Sequence, residues 1–232
     1  MKGWQKTSLI DFGDEIVSMF FYGGCNFRCP FCHNRDLVLN PDSLPDIAES
    51  DAFQYLSDKR KIYDGVVISG GEPTLDPRIA EICGMFKRSG FTIKLDTNGS
   101  RPEVLKSLVD AKLVDYVAMD IKTSLTKYPQ AAPFIAAEDL VADVKQSVGF
   151  LINGKVDYEF RSTIYPPWFE AEDWEEIAEW LKGAKRYYLQ QFNPKNTLDP
   201  EATKVIPHRK DYLEIRAEYL SGFMDLCEVR LI

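Results

Sequence analysis

Gly23-Gly-Cys-Asn-Phe-Arg-Cys-Pro-Phe-Cys-His-Asn-Arg-Asp36 sets Cys25, Cys29 and Cys32 in a Cys-x3-Cys-x2-Cys spacing. Soft thiolates so close in sequence suit zinc or an iron–sulfur cluster, and a short loop can wrap a cluster so that each sulfur reaches one iron. Closed structural zinc sites and ordinary ferredoxin clusters use four protein ligands, whereas three thiols leave one metal position for a non-protein ligand. His33 offers a fourth donor in a Cys3His zinc knuckle, but adjacent residues rarely both reach one tetrahedral ion. Immediately upstream, Ile16 to Tyr22 is a β-rich apolar run ending in Gly23-Gly24, so the cysteine loop follows a strand. That is where parallel α/β barrels carry their active sites.

The pattern repeats along the chain. Gly65-Val-Val-Ile-Ser-Gly-Gly-Glu-Pro-Thr74 is a continuous apolar strand that ends in Gly70-Gly71-Glu72. The glycines let backbone approach a ligand and the carboxylate can bind an ammonium group; the plainer alternative is a strand-to-helix turn. Phe91 to Leu95 ends in Asp96-Thr97-Asn98-Gly99, and Val114 to Ile121 brings Asp120 and Lys122 to its end. Val156 to Ile164 alternates, with Glu159, Arg161 and Thr163 on one face, and Arg186 to Phe192 ends at Asn193-Pro194. Helical spacing predicts helices over Ile47–Ile62, Ile79–Arg88, Pro102–Ala111, Asp139–Ile152, Trp174–Leu181 and Lys210–Ser221. A pairing strand is expected at Thr7–Phe12, a loop with some helix over Ser124–Ala137, and a last strand over Glu228–Ile232. Six alternating strand–helix units imply a parallel sheet with right-handed crossovers.

Composition sets outer bounds. The chain has 232 residues, 45% hydrophobic and 28% charged, enough for one large core in a single domain spanning 1–232. A formal net charge of −8 argues against a nucleic-acid surface, which needs clustered Lys and Arg. No stretch approaches a membrane span and no basic-then-apolar leader opens the chain, so a cytoplasmic protein is expected, with no membrane partner. Cys83 and Cys227 stand apart from the loop and are expected to be buried small hydrophobes, and His208 a surface residue.

The cysteine loop, with Cys29-Pro-Phe-Cys32-His33-Asn34 and the opening Trp4 to Phe12, resembles the glycyl-radical-enzyme activases of the radical S-adenosylmethionine (SAM) superfamily. The resemblance implies a partial (β/α)6 TIM-like barrel of parallel strands. It also implies one [4Fe-4S] cluster on Cys25, Cys29 and Cys32, with SAM on the fourth iron. Gly70, Gly71 and Glu72 are then expected at the SAM amino group, and Phe31 and His33 at the adenine. Asp96, Asn98 and Asp120 surround the methionine part, with Lys122 near its carboxylate and a monovalent cation on the two aspartates in some members. Arg161 is expected at the carboxylate or ribose, against an alternative ion pair with Glu159 or another carboxylate. Asn193 stands where some activases place a ribose-contacting His. The absence of a ferredoxin-like cysteine insertion implies a single cluster fed by a flavodoxin- or ferredoxin-type donor. The expected partner is a glycyl radical enzyme, an anaerobic ribonucleotide reductase above all. Other readings are activation of a pyruvate formate-lyase-like enzyme, a small-molecule radical SAM enzyme akin to the 7-carboxy-7-deazaguanine synthases, and a zinc-binding interaction module.

Overall fold

A computed structural model describes residues 1–230. Eight strands form one sheet in sequence order: β1 (Gly3–Ser8), β2 (Val17–Tyr22), β3 (Gly65–Gly70), β4 (Thr92–Thr97), β5 (Tyr116–Asp120), β6 (Asp157–Ile164), β7 (Tyr187–Gln191) and β8 (Cys227–Arg230). β1 pairs antiparallel with β2, and every later neighbour is parallel. Between the parallel strands run α1 (Arg35–Leu39), α2 (Glu49–Asp58), α3 (Ile79–Arg88), α4 (Pro102–Asp110), α5 (Ala137–Ile152), α6 (Ala171–Trp180) and α7 (Lys210–Leu220). Each of β2 to β7 is followed by helix, which is the expected partial (β/α)6 barrel, and β8 adds a further parallel strand. Among the described residues β1 and β8 do not pair, so the barrel stays open along one side.

Strand parity divides the interior sharply. Ile93 and Leu95, Val117 and Met119, and Tyr158, Phe160 and Ile164 point outward into the main core, beneath Leu105, Leu140, Val144, Ile177 and Leu213 of the helices. Fully burying an aliphatic side chain of this kind contributes roughly 1.5–3 kcal/mol. The inward face carries a small apolar cluster of Val17, Met19 and Val67 at the β2–β3 side. Beside it the opposite parity supplies Lys94 and Asp96, Tyr116 and Asp120, and Glu159 and Arg161. A lumen lined by charge is tolerable only if the charges pair, which they do, as described below.

Several expected boundaries move. The first strand lies at Gly3–Ser8 rather than Thr7–Phe12 because Trp4 anchors it, its indole Nε1 donating to Ser18 Oγ at 2.8 Å. Residues 9 to 15 instead turn beneath the barrel, through Gly13 at φ +54°, with Phe12 against Tyr116. α2 is shorter than Ile47–Ile62 because the Ile47 amide donates to the Met1 carbonyl at 2.9 Å instead of entering a helix. α6 begins at Ala171, three residues earlier than the apolar spacing alone indicates, because Glu170 and Asp173 form a reciprocal capping box. The short α1, directly after the cysteine loop, has too few residues for its periodicity to show. The 124–137 segment is loop with one 3-10 turn at Tyr128–Ala131. The last strand ends at Arg230, and its expected continuation through 231–232 lies outside the described residues. No helix among the described residues is long and apolar enough to cross a membrane.

Candidate active site

The loop after β2 is held from three sides. Gly24, at φ +85°, donates to the Leu37 carbonyl at 2.7 Å. Arg28 folds back, its Nη1 donating to the carbonyls of Cys25 and Phe27 at 2.7 Å each, while its own amide donates to the Ala131 carbonyl. Asn26 Nδ2 donates to Ser100 Oγ at 2.8 Å and its Oδ1 accepts from Asn98 Nδ2 at 2.9 Å, tying the loop to the end of β4. Cys29 is buried and Cys25 and Cys32 are half-buried. As free thiols they resist ionisation: burial pushes Cys25 up to about 11, Cys29 up to about 12 and Cys32 upward as well. Thiolates here therefore require a cationic ligand, which is what bound iron supplies. Among the described residues no three Cys, His, Asp or Glu side chains converge on one point as a single zinc ion requires. His33 is committed elsewhere, with its Nε2 2.8 Å from the Asn193 carbonyl. A donor set spread along a loop suits a cluster in which each sulfur takes a different iron.

A cavity of about 200 Å³ opens over this loop at the carboxyl ends of the strands. Cys25, Cys29, Cys32, Phe31, His33, Gly70, Gly71, Asp96, Asn98, Asp120, Lys122 and Arg161 all line it. Its volume is small against the roughly 300–1,000 Å³ usual for ligand sites. A second groove of about 450 Å³ adjoins it and shares His33 and Asn34.

Gly70 and Gly71 are required by close approach. A side chain at Gly70, φ +124°, would strike the Tyr22 backbone at 2.3 Å, and one at Gly71 would meet the Gly24 carbonyl at 2.0 Å. Their amide chain interlocks with the cysteine loop: Gly71 donates to Tyr22 and Glu72 to Gly24, each at 2.8 Å. Asn34, which closes the cysteine motif, donates its Nδ2 to the Gly70 carbonyl at 2.8 Å. Phe31 is buried in an aromatic box with Tyr165 and Trp168.

The lumen charges form a chain. Arg161 donates from Nε to Asp120 Oδ1 at 3.0 Å and lies 3.4 Å from Asp96 Oδ1 through Nη1, while Lys122 Nζ donates to Asp120 Oδ2 at 2.9 Å. Ser69, two residues beyond Val67 on the inner face, donates to Asp96 Oδ2 at 3.1 Å. Burial alone would raise Asp120, but Lys122 and Arg161 outweigh it and hold its carboxyl below the usual carboxylate range. Burial opposes the charge on Arg161 and Lys122; Asp96 and Asp120 overcome it on the first and Asp120 on the second, so both are raised and stay cationic.

Three expectations change here. Glu72 does not face the cavity: it is 1% exposed, and its carboxylate accepts from Thr74 N, Thr74 Oγ1, Thr97 Oγ1 and Asn98 N. Buried and held by these donors, it braces the end of β3 against the end of β4 rather than lining the cavity. Asn193 also misses the cavity; its Oδ1 accepts from the Lys195 amide at 3.0 Å, capping its own turn. Arg161 sits between Asp96 and Asp120, and Lys122 also pairs with Asp120. Arg161 pairs with these aspartates, and Glu159 goes to Arg230, Tyr116 and Lys94. His208 is half-buried, stacked on Tyr212 at 4.1 Å, rather than a surface residue, while Cys83 and Cys227 are buried as expected. Thr97, Ser69, Asn34 and Thr163 also line the cavity; the parity that placed Arg161 was enough to find Thr163.

An open parallel barrel with a thiol loop and a charged cavity at its strand ends defines an enzyme that works through a cysteine-bound metal cofactor. The chain belongs to the Radical SAM superfamily, whose family pattern matches residues 19–181. Membership carries with it a [4Fe-4S] cluster and SAM. A Methanocaldococcus jannaschii protein provisionally named glycyl-radical enzyme activating enzyme is 33% identical over 100% of this chain and 96% of its own length. The pyruvate formate-lyase-activating enzyme of Clostridium pasteurianum is 30% identical over 51% of this chain and 50% of its own. Among solved structures, Streptococcus suis SuiB bound to precursor peptide SuiA superposes with a TM-score of 0.67 at 13% identity. It covers 92% of this chain, which spans about half of that protein (48%), and the likeness is one of fold.

Proposed function

We propose that this enzyme generates a glycyl radical on a partner protein, an anaerobic ribonucleoside-triphosphate reductase. The observation that carries the reading is the end-to-end similarity to a glycyl-radical enzyme activating enzyme, joined to a cavity where the thiol loop and the charged lumen meet. A [4Fe-4S] cluster held by Cys25, Cys29 and Cys32, reduced by an external one-electron donor, would supply the electron that cleaves SAM to methionine and a 5′-deoxyadenosyl radical able to take a hydrogen atom from a glycine Cα of the partner.

The chain's own residues bind, orient and exclude water. Cys25, Cys29 and Cys32 hold iron. The backbone of Gly70 and Gly71, rather than the Glu72 side chain, meets the SAM amino group. Phe31, stiffened by Tyr165 and Trp168, and His33 border the adenine. Arg161 and Lys122 attract the SAM carboxylate, while Asp96 and Asp120 keep both cations charged and aimed. Asn98 acts on the loop that carries Cys25, through Asn26, and not on SAM alone. We read residues 1–232 as one domain in the cytoplasm, with electrons from a flavodoxin- or ferredoxin-type protein, since the two remaining cysteines are separately buried.

The test is anaerobic incubation with SAM, a reductant and the reductase of the same organism. Electron paramagnetic resonance should show a doublet on the reductase, and deuterium placed on its radical glycine Cα should move into 5′-deoxyadenosine. A doublet only with a pyruvate formate-lyase-like protein would keep the activity and replace the partner. No protein radical, with turnover of a small molecule such as a pterin, would overturn the reading.

A further inference from the structure

Asn98, just past the end of β4, stands between Glu72 and the cysteine loop. Its backbone amide donates to Glu72 Oε2 at 2.7 Å, while its side-chain Nδ2 lies 2.9 Å from Asn26 Oδ1 and 3.9 Å from Cys25 Sγ. Asn98 is 5% exposed, and its neighbours fix which way the amide points. Oδ1 accepts from the Ser100 amide at 3.0 Å and from Ser100 Oγ at 2.7 Å. A backbone N–H can only donate, so the oxygen faces Ser100 and the NH2 group faces the cysteine loop. One hydrogen of that group goes to Asn26, and the other is left for the sulfur. Ser100 Oγ in turn accepts from Asn26 Nδ2, which closes a ring of side chains around the donor.

Among the described residues Asn98 is the one side chain that donates to any of the three thiols; the other donor to Cys25 is the Phe27 amide at 3.3 Å. A neutral thiol is a weak acceptor and gains little from this, whereas a metal-bound thiolate carries charge that a donor stabilises. Burial first, and the Glu72 carboxylate after it, disfavour that charge on Cys25. Asn98 meets both anions at once, Glu72 through its backbone and Cys25 through its side chain. Lys122 brings a positive charge to the same cavity, but Asp120 Oδ2 pairs with it at 2.9 Å.

We infer that Asn98 sets the reduction potential of the cysteine-bound cluster, through a hydrogen bond from Nδ2 to the Cys25 sulfur. The inference goes beyond the reaction proposed above: it rests on the family's cluster and not on the identity of any partner. An added electron puts more negative charge on the sulfurs, so a donor there stabilises the reduced form and raises the potential.

The experiment is a reductive titration of the reconstituted full chain without SAM, read by electron paramagnetic resonance of the reduced cluster, on wild type, Asn98→Ala, Asn98→Asp and Ser100→Ala. Expected for Asn98→Ala is about a tenfold shift of the reduction equilibrium against the reduced form, about 59 mV for one electron. Asn98→Asp should shift it further, because a carboxylate then faces the sulfur. Ser100→Ala leaves the Ser100 amide to hold Oδ1, and with it the aim of Nδ2, and should stay within twofold of wild type. Iron and sulfide content should match wild type in all three. A potential within twofold of wild type in an Asn98 variant that keeps its cluster overturns the inference. An equal shift in Ser100→Ala also overturns it, since the fit of the loop and not the donor to sulfur would then set the potential. Loss of the cluster from both Asn98 variants overturns it as well, making Asn98 a support for the loop. A wild type that holds no cluster overturns the cofactor assignment, and this inference with it.

Discussion

The two ends of the barrel lumen are both charged, yet only one is built for chemistry. At the amino ends of the strands, Glu159 is 3% exposed and accepts from Arg230 at 2.9 and 3.0 Å and from Tyr116 at 3.0 Å, with Lys94 3.8 Å away. Lys94 is also tied to the Asp11 carbonyl of the loop that crosses beneath. Glu159 and Lys94 are buried within these pairs, while Arg230 stays partly exposed at the rim of an opening of about 350 Å³. At the carboxyl ends, Asp96, Asp120, Arg161 and Lys122 pair among themselves but line an open cavity with three thiols on its far wall. At the lower end the carboxylate is buried under its partners; at the upper end the paired charges line the cavity that also holds the thiols. The difference follows the barrel rule that the amino-end face serves stability and the carboxyl-end face serves catalysis.

The largest effect should come from the thiols. Replacing Cys25, Cys29 or Cys32 by Ala should abolish the brown chromophore and SAM cleavage, while Cys83→Ala and Cys227→Ala retain both; iron and sulfide analysis after anaerobic reconstitution measures it. A full cluster in any one of the three loop variants would remove the upper end's claim to chemistry.

Next comes the lower end. Glu159→Ala strands Arg230, leaves Lys94 with Asp96 alone at 3.8 Å, and should cost about 3 kcal/mol in denaturant unfolding, with SAM affinity of the folded protein unchanged. The reverse division is expected above: Asp120→Ala should weaken SAM binding by about 1.5–3 kcal/mol, roughly 10- to 150-fold, with the cluster intact. Glu72→Gln belongs with Glu159, lowering stability and sparing SAM affinity, although it is only three residues from Ser69 on the cavity wall. Equal loss of SAM affinity in the Glu159 and Asp120 variants would erase the distinction between the two ends.

The smallest effect is a pH dependence common to both. Burial pushes Glu159 up, but Arg230, Lys94 and Arg161 outweigh it and lower it, as Lys122 and Arg161 lower Asp120. A carboxylate lowered in the folded state contributes stability that is fully present above its unfolded value, about 4, and is lost as pH falls through the folded value. Stability should therefore be level above about pH 5 and decline below about pH 4. Glu159→Gln should flatten part of that decline in unfolding measured across the acid range. An unchanged acid limb would mean that these pairs do not set it.

Much of the site was legible because its signals are local. The cysteine spacing lies within one loop, and the alternation of β6 put Glu159, Arg161 and Thr163 on one face before any partner was known. The departures from local pattern share a cause. Glu72 stands beside glycines at a strand end, like a ligand-binding carboxylate, but its partners Thr97 and Asn98 come from the next strand and claim it. Asn193 sits at the expected strand end, yet its own turn takes its side chain. The first strand lies four residues before Thr7–Phe12, because the Trp4–Ser18 contact that fixes its register is invisible along the chain.

By itself the sequence determined the order of the parallel strands and of the longer helices, the two faces of β6, and the thiol loop at a strand's carboxyl end. Hydrophobic periodicity and cysteine spacing act over a few residues, so they survive in one dimension. Only the tertiary structure decided which charges neutralise one another: Arg161 with Asp96 and Asp120, Glu159 with Arg230, Glu72 with the hydroxyls and amides of β4's end. Those partners are 25 to 71 residues apart, and Coulomb and hydrogen-bond energies depend on ångströms, which sheet register sets and sequence separation does not.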